Sequence, residues 1–90
     1  HLRQVPEAVL LVSGCDKLHN ARAILGDLED PAVGAAVFER FTAGRDGTLA
    51  YYQSLAQILT RRAAPMALAF ERTVARMHEL AGASERRGLG

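Results

Sequence analysis

The stretch Pro6-Glu7-Ala8-Val9-Leu10-Leu11-Val12-Ser13-Gly14-Cys15-Asp16-Lys17-Leu18-His19-Asn20-Ala21-Arg22-Ala23-Ile24-Leu25 decides the fold. Proline stands at a first helical position, and Glu7 follows in the first turn, where the helix macrodipole favours an acid. Strong helix formers come next, with only Gly14 and Gly26 against them. The spacing predicts one long helix from Pro6 to Asp27 or Leu28. Its N-terminal half is apolar all round, which predicts a buried segment. It then runs into Ser13, Asp16, Lys17 and Asn20, which share one face at i, i+3, i+4 and i+7. That polar face has two readings. Either the helix emerges into water there, or a functional site sits there, because a carboxylate beside a buried stretch needs a partner or a metal. Lys17 is a poor partner for Asp16, since adjacent helical residues do not face each other.

The same period continues downstream. Asp30-Pro31 reads as N-cap and first helical position of a short second helix, with Val33, Val37 and Phe41 buried and an end at Thr42-Ala43-Gly44. Gly44-Arg45-Asp46-Gly47 reads as a loop, and Asp46 or Thr48 as the cap of a third helix reaching Arg61. Leu49, Tyr52, Ala56 and Leu59 form that helix's apolar stripe. Ala63-Ala64-Pro65 breaks the pattern. A fourth helix follows from Pro65 to Ala81, with Phe70, Val74, Met77 and Ala81 on one face. Residues 83–90 read as a flexible tail beyond a domain of residues 1–82. The expectation is an all-α bundle of about four helices.

Composition narrows the function. The ninety residues carry 11 Lys plus Arg and 10 Asp plus Glu, a net charge of +1. That balance argues against a dedicated nucleic-acid binder. The single cysteine, Cys15, cannot close an intrachain disulfide, which favours a reducing, cytoplasmic compartment. The longest apolar run, Ala8 to Val12, is far short of a membrane span, and no leader pattern follows His1. His19 and His78 lack a second histidine at helical metal-binding spacing, and His1 carries no information. Arg61-Arg62 and Arg86-Arg87 read as solvated charge at helix ends. Tyr52 belongs to the core stripe, which leaves Tyr51 the freer ring. Zinc-site, nucleophile-elbow and phosphate-loop motifs are absent.

The string Cys15-Asp16-Lys17-Leu18-His19-Asn20-Ala21-Arg22, preceded by Leu10-Leu11-Val12-Ser13, resembles a helix of the HD-domain phosphohydrolases. It looks most like the branch related to Rel/Spo-type hydrolases of (p)ppGpp, where that helix typically reads Ala-Asp-Lys-or-Arg-Leu-His-Asn. Phe41-Thr42-Ala43-Gly44-Arg45-Asp46-Gly47-Thr48-Leu49-Ala50-Tyr51-Tyr52 looks like bacterial members of the same branch. The resemblance implies an all-α fold and hydrolysis of a nucleotide phosphate or pyrophosphate ester, (p)ppGpp-like, by a metal-activated water. It implies one divalent metal, manganese or similar, held by two His, an adjoining Asp and a distant Asp. Asp16 matches the distant Asp. Asn20 matches a residue near the nucleotide, and Lys17 and Arg22 become candidates for charge near a phosphate. No His-Asp doublet occurs in this sequence, and Gly14-Cys15 replaces the usual pair before the aspartate. The chain is therefore expected to be the C-terminal half of such a domain, inactive and without metal by itself, and either associating with the missing half or forming a homo-oligomer. A non-catalytic helical interaction module on the same scaffold is the alternative.

Overall fold

A computed structural model describes the backbone of residues 2–89 and the side chains of residues 2–82. It is all-α: α1 (Glu7–Glu29), a 3₁₀ helix (Gly34–Arg40), α2 (Gly44–Arg61) and α3 (Ala67–Leu89), with no strand among the described residues. No described helix is long and apolar enough to cross a membrane. The tail expected over residues 83–90 lies outside the described side chains.

The centre of the bundle is α3. Both α1 and α2 pack along it, while touching each other little. The start of α1 (Glu7, Leu10, Leu11) lies beside the link that leaves the end of α2 (residues 62–65), so these two helices run in opposite directions. Phe70, Val74 and Met77 of α3 are fully buried against Leu59 of α2 and Val37 of the 3₁₀ helix. The expected stripe of α2 is the one buried: Leu49, Tyr52, Ala56 and Leu59, joined by Leu55. Tyr52 stacks on Phe70 at 6.3 Å, fixing α2 against α3.

Along α1 the buried residues are Leu10, Gly14, Leu18, Ala21, Ile24 and Leu28. This is a stripe of alternating large and small side chains. A Cβ on Gly14 would sit 2.7 Å from Met66 Sδ and 3.2 Å from Leu59 Cδ2, so the absent side chain leaves room for the tips of these two residues. The N-terminal half of α1, apolar all round and therefore expected to be buried, is instead buried on one side only. Val9, Leu11 and Val12 are exposed, Val12 at 70%. One central helix covers one face of α1, and α2 stands away from the next.

Three other expectations change. Asp30 caps a turn, its Oδ1 accepting the Ala32 N–H at 2.9 Å. The chain then turns through Gly34 at φ +54 into a 3₁₀ helix and not an α-helix. Tighter winding brings Phe38 into the core and leaves Phe41 37% exposed. The Gly44–Gly47 segment is the first turn of α2 and not a loop. Gly44 takes φ +69, which makes the reversal within one residue, and neither Asp46 nor Thr48 caps the helix. A Cβ on Gly47 would meet Ala43 Cβ at 2.7 Å, so the tight turn needs both glycines. Finally, Arg62 is not solvated helix-end charge. Its guanidinium donates to the carbonyls of Leu2 (2.9 Å) and Val5 (2.6 Å), strapping the N-terminal segment across the end of α2.

The α2–α3 link ends α2 by a two-bond cap, Ala64 N–H to Leu59 O and Ala63 N–H to Thr60 O. It holds Ala63 at φ 54, a left-handed conformation costing an alanine about 1 kcal/mol relative to glycine.

Candidate functional site

Two grooves flank α1, one between it and α2, which it touches little, and one between it and the 3₁₀ helix. The first, about 480 Å³, is lined by Leu2, Ser13, Lys17, Tyr51, Ser54, Leu55 and Ile58. The second, about 370 Å³, is lined by Asn20, Ala23, Ile24, Asp27, Val37, Arg40, Phe41 and Tyr52. Asp16 lines neither groove and stands on α1 with its side chain 65% exposed.

The structure thus splits the polar set read from the sequence. Asp16 and Asn20, one turn apart, are both exposed, with Asn20 at the second groove. Lys17 turns into the first groove, its side chain 34% exposed, and its Nζ reaches only to 4.0 Å from Asp16 Oδ2. Six residues beyond Asp16, Arg22 lies roughly 120° around the helix, lines neither groove and is exposed. Asp16 therefore needs no buried partner, because water solvates it. His19, His78 and Cys15 are exposed as well.

Tyr52 is the residue that sequence reasoning assigned to packing alone. Its ring is core, stacked on Phe70 and edge-on to Tyr51 at 5.2 Å. It also forms part of the second groove's wall. Burial raises its phenol above the ordinary value, and the neighbouring Tyr51 phenol and the Asp16 carboxylate push it the same way. Tyr52 therefore keeps its proton at neutral pH and can donate to an oxygen acceptor. The signal available in the sequence was the doubled tyrosine, which places one ring in the core and the next beside the groove. At the far end of the second groove, Arg40 pairs with Asp27 at 2.6 Å and ties the 3₁₀ helix to α1. The pair is part-exposed and contributes below about 1 kcal/mol.

Asp16 is one carboxylate. Among the described residues no group of three or more His, Cys, Asp or Glu side chains stands together in a way that could hold a metal ion. The residues present do not by themselves fit a catalytic metal. Compared with protein families, with curated proteins and with solved structures, the chain shows no match.

Proposed function

We propose that this chain forms the nucleotide-facing part of an HD-type phosphohydrolase acting on a phosphate or pyrophosphate ester of a (p)ppGpp-like nucleotide. The observation that carries the reading is the placement of Asp16 and Asn20 on one open face of α1, beside a groove walled by a protonated tyrosine. Asp16 offers a solvated carboxylate with no strong ion pair to break. Asn20, roughly 5.4 Å further along the axis, offers an amide that donates and accepts. Tyr52 offers a phenol proton to a phosphate or sugar oxygen. Lys17 and Arg22 add positive charge on the two flanks. In this proposal the divalent metal is completed by donors outside these ninety residues, and Asp16 contributes one ligand.

The test is hydrolysis by an assembly that joins this segment to the metal-binding half the proposal calls for. Asp16→Ala is expected to abolish divalent-metal-dependent turnover while helical circular dichroism stays unchanged, because an exposed carboxylate is lost and alanine is the better helix former. Unchanged turnover at saturating manganese overturns the assignment. The second reading, a helical interaction module without chemistry, is favoured by the exposed Val9, Leu11 and Val12 together with the single carboxylate. Asp16→Ala that leaves hydrolysis intact while Val12→Asp abolishes a partner contact would select it.

A further inference from the structure

The hydrolase proposal uses the second groove and takes from the first only the charge of Lys17, leaving its cavity unassigned. We propose that the first groove, between Ser13 and Lys17 of α1 and Tyr51 and Ser54 of α2, is a binding site for a small amphipathic carboxylate. Its volume, about 480 Å³, is in the range of small-ligand pockets, roughly 300–1,000 Å³. Leu2, Leu55 and Ile58 give it an apolar lining, and Tyr51, half exposed, supplies an aromatic wall. Lys17 is the one charged side chain lining it among the described residues, and no carboxylate does. Ser13 and Ser54 add hydroxyl donors on opposite helices. An apolar floor with one ammonium and two hydroxyls matches an apolar body carrying one anionic head. A cation meets the Lys17 ammonium there, and a neutral body leaves that ammonium with only the solvated Asp16 carboxylate as counter-charge. Asp16 lies 4.0 Å from that ammonium but is mostly solvated, so it weakens the attraction without satisfying it. The N-terminal strap held by Arg62 places Leu2 in the lining, so the groove is formed by three segments and not by two helices alone.

The inference needs neither a metal nor Asn20, and it stands or falls apart from the hydrolase reading. The experiment titrates the ¹⁵N-labelled ninety-residue chain with decanoate below its micelle concentration. Decanol and decyltrimethylammonium serve as neutral and cationic counterparts. Decanoate is expected to shift the amides of Ser13, Lys17, Tyr51, Ser54, Leu55 and Ile58, and to bind about tenfold more tightly than decanol. Lys17→Met should reduce decanoate to the affinity of decanol, and Asp16→Asn should preserve or tighten its binding. Equal affinity for the three probes, shifts centred on Val9, Val12 or Leu68, or a Lys17→Met chain that binds decanoate like the parent would each overturn the site.

Discussion

The two sides of α1 obey opposite rules. Its buried side carries Leu10, Gly14, Leu18 and Ala21, packed so that a single added carbon at Gly14 meets the side-chain tips of Met66, just before α3, and of Leu59 on α2. Its other side carries Ser13, Lys17, Asp16 and Asn20, and there one groove opens toward α2 and another toward the 3₁₀ helix. The seam is sealed by small residues, and the gap is lined by polar ones. Stability is therefore concentrated on one side of this helix, and ligand chemistry has room on the other.

Substitutions can break that contrast. The largest effect belongs to Gly14→Ile, which forces a branched side chain into the seam and should cost about 1–3 kcal/mol by denaturant titration, outweighing the helix propensity gained. Gly26 is the control on the same helix. Nothing lies within 4 Å of a Cβ added there, so Gly26→Ala should stabilise by up to about 1 kcal/mol. If both glycines respond alike, the seam is not tightly closed.

Tyr52→Phe probes a residue that is both core, stacked on Phe70, and wall of the second groove. The folded phenol titrates above the unfolded one, so its contribution is fully present below the unfolded value of about 10 and is lost as pH rises through the folded value. The parent chain should lose thermal stability steeply above about pH 10, and Tyr52→Phe should flatten that alkaline limb while changing little at pH 7. An unchanged alkaline limb would place the hydroxyl in open water. The smallest stability effect is expected on the open side. Val12→Ser should alter stability by less than about 0.5 kcal/mol. It should nevertheless reduce self-association in light scattering, because an exposed apolar patch drives contact between copies. A parent chain that is already monomeric at high concentration would remove the ground for this prediction.

Much of this contrast was legible in the sequence, and the reasons differ by element. The stripe Leu49, Tyr52, Ala56 and Leu59 was readable because α2 has one apolar face and period 3.6 reveals it. The first helix defeated the same method. Its N-terminal half has apolar residues on every side, so periodicity could not rank Leu10 above Val9 or Val12, and the seam is marked by glycine and alanine, which carry little hydrophobic signal. Asp30-Pro31 carried a helix-start signal, but Gly34 at positive φ interrupts it, and a backbone angle leaves no trace in composition. Asp16 and Asn20 drew notice through their shared face and a family resemblance. The grooves beside them arise from how α2 and the 3₁₀ helix sit against α1, which no local pattern encodes.

The central claim is that nucleotides meet the open side of α1. Titration of the ¹⁵N-labelled chain with guanosine 5′-diphosphate tests it most directly, with Asn20→Ala as the paired variant. The account predicts shifts confined to Asp16, Asn20, Ala23 and Tyr52, and their loss in Asn20→Ala while the remaining spectrum is unchanged. Shifts that gather on Gly14, Met66 and Leu18, or that persist undiminished in Asn20→Ala, would contradict it.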